Sequence, residues 1–286
     1  MIGITGATGQ LGTLVIEDLL KTQSPAKIVA FVRDEAKAAH LKKRGVIVRV
    51  ADYNQPDTWK KAMTGVTKLL LISSNEIGQR EAQHKNVIGA AREAGVGHIF
   101  YTSLLKADSS KLALADEHRA TEKALRESGI TYTFLRNGWY LENHTENLAH
   151  VLQTKILHGA AKEGRFSSAS RKDFAEAAAK VLLQPGHENK VYELAGETSF
   201  SLEELVAELS RQTNQKIVYM NHSFEDFKSA LIAAGLPEGF AYILADSDVK
   251  ASQGDLESSS QDLKKIIGHS TTLLSEQLSK TLQKVL

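Results

Sequence analysis

The 286-residue sequence contains no cysteine. That excludes a disulfide framework, a thiolate metal site and a cysteine nucleophile, and it fits a reducing compartment. A surplus of one charge is missing too. The chain has 35 Lys and Arg against 34 Asp and Glu, so its overall balance draws it neither to nucleic acid nor to an acidic membrane surface. No run approaches the roughly 18 apolar residues that a membrane span needs. Met1 to Ile4 passes straight into a glycine loop, leaving neither a basic leader nor a separate apolar stretch for a signal peptide. The expectation is a soluble, cytoplasmic protein. Motifs of several common chemistries are also missing: there is no Gly-x-Ser-x-Gly, no phosphate loop ending in Gly-Lys-Ser/Thr, no His-Glu-x-x-His and no clustered His/Asp set among the ten histidines. These exclusions leave a small molecule as the expected partner. With 42% of its residues hydrophobic, the chain is long enough to bury one large core, or one core and a smaller lobe.

What is present is a regular alternation. Short apolar runs occur at Ile2 to Thr5, Lys27 to Val32, Val46 to Val50, Lys68 to Ile72, His98 to Thr102 and Thr131 to Leu135. Between them lie segments of helical period, among them Leu11 to Leu20, Gln79 to Ala94 and Leu114 to Ser128. Buried-type strands separated by helices predict an α/β fold with a Rossmann-type doubly wound parallel sheet, because a parallel connection needs a crossover of about a dozen residues or more. Gly95 and Gly129 follow helical segments and suit the left-handed position that ends a helix. Beyond about Gly159 the rhythm loosens. Asp173 to Leu183 still reads as a helix, Lys190 to Leu194 as a strand, and Ser201 with Glu204 has capping-box spacing. The expected division is a nucleotide-binding domain at 1–198 and a smaller, mostly helical C-terminal lobe at 199–286 that helps to form the substrate cleft. No repeat or low-complexity linker interrupts the chain.

The stretch Thr5-Gly6-Ala7-Thr8-Gly9-Gln10-Leu11-Gly12 lies between the first strand and the first helix. A glycine-rich turn there lets backbone N–H groups approach a pyrophosphate, which also meets the positive end of the helix. The spacing is Gly-x-x-Gly-x-x-Gly, and its position at the head of a βαβ series predicts a dinucleotide site. A ribose-reading side chain is expected about 20 residues later. Arg33 and Asp34 both stand there; Arg33 comes first after Val32 and suits the 2′-phosphate of NADP(H), which favours NADPH as the cofactor. Polar residues recur at the other strand ends, at Asp52, Ser73 to Asn75, Thr102, Ser103 and Asn137, where an open parallel sheet lines its ligand crevice.

The glycine loop, Val32-Arg33, Ala51 to Tyr53 and the stretch Phe134 to Tyr140 (FLRNGWY) together resemble the NmrA-like, atypical short-chain dehydrogenase/reductase family. Further blocks, Leu69 to Arg80, Tyr101 to Asp108, Val191 to Glu197 and Ala245 to Ser252, resemble its bacterial NAD(P)H:quinone oxidoreductases. The resemblance runs from end to end and implies NADPH contacts from Gly6, Ala7, Thr8, Gly9, Gln10, Leu11, Arg33, Ser73, Ser74, Asn75, Asn137, Gly138, Trp139, Tyr140, Leu141, Glu142 and Arg171. No metal is implied.

The chain departs from the wider superfamily in one respect. Short-chain dehydrogenases carry Tyr-x-x-x-Lys on the helix after the fifth strand, the Tyr being the general acid; aligned on Glu122, those places hold Leu114 and His118. A quinone needs no such acid, because the hydroquinone anion is the conjugate base of a phenol with a pKa of about 10 and solvent can protonate it. Positioning the ring is then the main task, with Trp139, Tyr140 and Tyr101 as expected apolar walls and Asn143 as the donor to a quinone oxygen. Two functions follow: an NADPH-dependent quinone reductase, which the whole-chain resemblance favours, or a non-catalytic NADP(H)-binding redox sensor of the NmrA type acting through a protein partner. Homo-oligomerisation is left open.

Overall fold

The computed structural model describes residues 1–285. Its contacts divide the chain into two compact units: Met1–Ala107, Asp116–Asn137 and Arg171–Glu193 form the first, and Asp108–Ala115, Gly138–Ser170 and Leu194–Leu286 the second. The chain leaves the first unit after Asn137, returns at Arg171 and leaves again at Leu194. The break expected between 198 and 199 falls shortly after the last of these crossings.

The six expected strands of the first unit all form: β1 (Ile2–Ile4), β2 (Ile28–Val32), β3 (Ile47–Val50), β4 (Lys68–Leu71), β5 (His98–Leu104) and β6 (Thr131–Asn137). They pair in parallel, and with the strand Lys190–Leu194 beside β6 they complete a seven-stranded sheet of order β3-β2-β1-β4-β5-β6 and then that edge strand. The helices between them are α1 (Gln10–Leu19), α2 (Ala39–Lys43), α3 (Pro56–Ala62), α4 (Arg80–Glu93) and α5 (Ala115–Glu127). Strand order reverses between β1 and β4. Right-handed crossovers therefore carry the helices to opposite faces, α1 packing with the helix Arg171–Leu183 and α3 with α4.

The apolar runs form strands because every residue of β2 and β5 is buried, so both faces of these strands must be covered. Under one face Phe31, Trp59, Leu69, Val87, Ile99 and Phe134 join a single core, with Phe31 and Trp59 rings 5.3 Å apart. Each such side chain contributes on the order of 1.5–3 kcal/mol by leaving water. Gly95 and Gly129 take φ of +72° and +76° at the ends of α4 and α5, as the sequence predicts.

The second unit holds two short pairings, Ile156–Gly159 parallel to Val218–Asn221 and Arg165–Phe166 antiparallel to Phe200–Ser201. Its longer helices are Leu202–Thr213, Phe224–Ala233, Glu238–Ala251 and Leu274–Val285. Both capping-box bonds form, Glu204 N to Ser201 Oγ at 3.1 Å and Ser201 N to Glu204 Oε2 at 3.0 Å. Among the described residues no helix is long and apolar enough to cross a membrane.

Candidate active site

In a sheet of this order the carboxyl ends of β1 and β4 flank the point where the winding reverses, the place where open α/β sheets take their ligands. The glycine loop occupies the β1 end. Gly6 sits at φ +57°, a left-handed conformation that a side chain would strain. A Cβ on Gly12 would lie 2.3 Å from the Gly6 carbonyl oxygen, so this glycine lets α1 start hard against the loop. Gly9 stands at the N-cap of α1 with no side-chain cap, and Gly6, Thr8, Gly9 and Gln10 are exposed while Ala7 and Leu11 are buried anchors. The first-turn donors of α1 thus face outward over a floor of backbone, a cradle suited to a pyrophosphate.

At the end of β2 the structure separates the two candidates for reading the ribose. Asp34 accepts the Ala36 amide at 2.9 Å and so shapes the following turn, whereas the Arg33 side chain reaches across to Glu76, Nη1 to Oε1 at 2.8 Å. Of the two, the Arg33 guanidinium is the one left half-exposed, in an ion pair with Glu76.

The segment after β4 carries Ser73 to Asn75 and is fastened from beneath. Ser73 N donates to Thr102 Oγ1 at 2.8 Å, and Ser74 N donates to His84 Nε2 at 3.0 Å. That bond puts the His84 proton on Nδ1, which donates to Thr121 Oγ1 at 2.9 Å. Arg80 Nε holds the Ser74 carbonyl. Glu117 accepts the amides of Gly78 and Arg80 at 2.9 and 3.2 Å, closing the N-terminus of α4. This buried set was not found from the sequence: Arg80, His84 and Glu117 are ordinary helix residues until the packing of α4 on α5 brings them together.

His118 belongs to the same set. Its Nδ1 lies 2.7 Å from Tyr101 Oη, and Arg80 Nη1, which can only donate, lies 3.5 Å from Nε2. The proton is accordingly on Nδ1. Tyr101 is fully buried, which corrects its expected role as a wall of the substrate site: β5 points it into the core. Leu114 precedes α5 and is half-buried. Below them Glu122 takes a two-pronged bond from Arg136 at 2.7 and 2.9 Å, and Arg136 reaches Glu193 at 2.9 Å. These groups build a rigid floor rather than a reactive centre.

Asn137 ends β6 almost wholly buried, with no hydrogen-bond partner for Oδ1 among the described residues. A buried acceptor left unpaired is costly, and a ligand donor would satisfy it. Arg171 opens the helix that packs on α1, at the end where crossover helices start, beside the strands' carboxyl ends. In the second unit Gly138 to Asn143 runs along 168–170: Leu141 N donates to Ala169 O at 3.0 Å and Ala169 N to Trp139 O at 3.2 Å. Trp139 and Tyr140 are half-buried, Leu141 is buried, Glu142 is half-buried and Asn143 is exposed on the helix Leu141–Thr145. His144 behind them bonds Ser168 Oγ at 3.0 Å and meets Phe166 and Phe200 edge-on.

Three of these histidines are held neutral. Burial pulls His84 and His144 down to about 3, and burial with the nearby Arg80 charge lowers His118. Below their ordinary value of about 6.5 the unfolded chain takes up protons that the folded one refuses, so stability is full above that pH and falls as pH drops toward the folded values. Each contributes a slope of about 1.4 kcal/mol per pH unit in that window. Asp248, pushed up to about 7 by burial, opposes one of the three. Urea midpoints should therefore drop markedly between pH 7.5 and pH 5; equal midpoints would contradict the neutral assignment.

A family model described as NAD(P)H-binding matches residues 6–185. The sequence is 54% identical to Quinone oxidoreductase 2 of Escherichia coli (strain K12) over 279 residues, 98% of each chain. The crystal structure of an Escherichia coli NADPH-dependent quinone oxidoreductase complexed with NADPH superposes with a TM-score of 0.97 at 54% identity, covering 99% of this chain and 100% of that one. A triphenylmethane reductase from Citrobacter sp. complexed with NADP(H) superposes with a TM-score of 0.95 at 43% identity, covering 98% and 100%.

Proposed function

The chain belongs to the NAD(P)H-binding, NmrA-like family, and on that premise we propose that it carries a hydride from NADPH to a quinone. The observation that carries this reading is an intact nucleotide cradle together with the loss of the superfamily acid, whose place holds Leu114 while His118 is buried in bonds to Tyr101 and Arg80. Gly6 to Leu11 hold the pyrophosphate, Arg33 the 2′-phosphate, and Ser73 to Asn75, Asn137 to Glu142 and Arg171 the rest of the cofactor. Bound NADPH supplies a hydride from C4 of its nicotinamide. Asn143 offers its amide to the quinone oxygen on which negative charge grows, and water delivers the single proton that completes the hydroquinone. An aliphatic ketone would leave a far more basic alkoxide, for which the superfamily's usual donor is missing at Leu114. A triphenylmethane cation needs no proton when it accepts hydride, so the relative named for that reduction fits the same logic.

Loss of reduced-nicotinamide absorbance with a panel of quinones tests the proposal. Turnover by the purified protein without added flavin supports it; tight NADPH binding with no turnover on any quinone supports the sensor instead. Cofactor choice has its own test. Removing the Arg33 side chain deletes a charge-assisted bond of roughly 1.5–3 kcal/mol, so Arg33→Ala should weaken NADPH by about 10- to 150-fold and leave NADH little changed. Equal losses for both in calorimetry would remove Arg33 from the 2′-phosphate.

A further inference from the structure

Arg33 does not wait for its phosphate alone. Its Nη1 lies 2.8 Å from Glu76 Oε1, and that carboxylate is held in place from two other directions: Asn54 Nδ2 donates to Oε2 at 3.2 Å and Gln83 Nε2 at 2.7 Å. Gln83 is almost fully buried on α4, and its Nε2 also donates to Asn54 Oδ1 at 3.0 Å, so the two amides brace each other. Asn54 is fixed in turn by its amide bond to Asp52 Oδ1 at 2.9 Å, and Glu76 by its own amide bond to Ser74 Oγ at 3.1 Å. The hydrogen bond from Asn54, then that from Gln83 and the Arg33 charge, hold the Glu76 carboxyl below the usual carboxylate range. Glu76 is thus a fixed anion whose position depends on the turn after β3, α4 and the loop after β4, and Arg33 is its half-exposed partner.

We propose that Glu76 is a specificity-determining residue, a built-in counter-anion that offsets the preference of Arg33 for a 2′-phosphate and so narrows the gap between NADPH and NADH. The inference rests on the reading of Arg33 given above. The guanidinium has five N–H donors and can keep one on Glu76 while turning others to the phosphate. The phosphate must then sit near a carboxylate of the same sign that cannot swing away, because both amides hold it. A free 2′-hydroxyl meets no such repulsion and can donate to that carboxylate. Aiming the arginine and repelling the phosphate act in opposite directions; repulsion prevails because the braced carboxylate stays when the phosphate arrives, whereas the arginine is exposed enough to aim without it.

The test is calorimetric binding of NADPH, NADH and 2′,5′-ADP to the full chain, to Glu76→Gln and to Arg33→Ala. Glutamine keeps the side-chain length and an oxygen for Arg33, removes the charge, and puts an NH2 donor where Oε2 accepts, so the Asn54 and Gln83 amides must turn to meet it. Glu76→Gln should bind NADPH and 2′,5′-ADP about 5- to 10-fold tighter, in line with removing one exposed charge–charge repulsion, with NADH within about 2-fold. A general loosening of the loop would weaken all three ligands together. NADPH binding that is unchanged or weaker in Glu76→Gln, with Arg33→Ala still losing NADPH selectively, overturns the role of Glu76 and leaves that of Arg33 standing. Unchanged NADPH binding in Arg33→Ala overturns both.

Discussion

Gly9→Val is expected to weaken NADPH binding by about 10²-fold or more while the protein still unfolds cooperatively near its original temperature. The backbone of Gly9 has φ −77° and ψ 170°, which valine adopts without strain, so the fold does not require glycine there. Space at the site does. A Cβ would stand 3.1 Å from the Gly6 carbonyl, and the branched methyls beyond it would cover the exposed donors at the head of α1. Losing two charge-assisted bonds to a pyrophosphate, each roughly 1.5–3 kcal/mol, gives about 10²- to 10⁴-fold. Gly12→Val should differ in kind, because its Cβ would overlap backbone at 2.3 Å and must displace the start of α1. Calorimetry with NADPH and a thermal melt on both variants separate the two; full affinity in Gly9→Val would take the loop out of the site.

His118→Ala should separate stability from chemistry in the opposite way. The side chain is buried and bonded at both ring nitrogens, so its loss takes a partner from the buried Tyr101 Oη, at about 1–3 kcal/mol for a buried group left unsatisfied. For a chain of this size that corresponds to a melting temperature lower by roughly 2–4 °C per kcal/mol. Quinone turnover should stay within a few-fold, whereas removing a general acid costs about 10²- to 10⁴-fold. A stable variant with collapsed turnover would make His118 the missing acid.

Much of the site was legible because the features that mark it are local. The run into Gly6, Gly9 and Gly12, the strand-end position of Arg33 and the six strands each depend on neighbours within a few residues, and all form where expected, although β3, at the sheet edge, has no buried residue. What was illegible depends on distant pairings. Glu76 acquires its meaning only when the turn after β3 places Asn54 and α4 places Gln83 against it. Tyr101 reads equally well as a ligand-facing aromatic or a core residue, and only the packing of α5 on β5 decides for the core. The short strands Ile156–Gly159 and Val218–Asn221 have too few residues and too much exposure for a pattern, and form because each finds the other.

Hydride should reach the quinone without a protein acid moving a proton in the same step. Single-turnover decay of enzyme-bound NADPH, deuterated at the transferred C4 position and compared with the unlabelled cofactor in H2O and in D2O, tests it directly. Deuterium on the nicotinamide should slow the decay and D2O should not. Slowing by D2O comparable to that from the labelled cofactor would show a proton in flight with the hydride, moved by a protein acid.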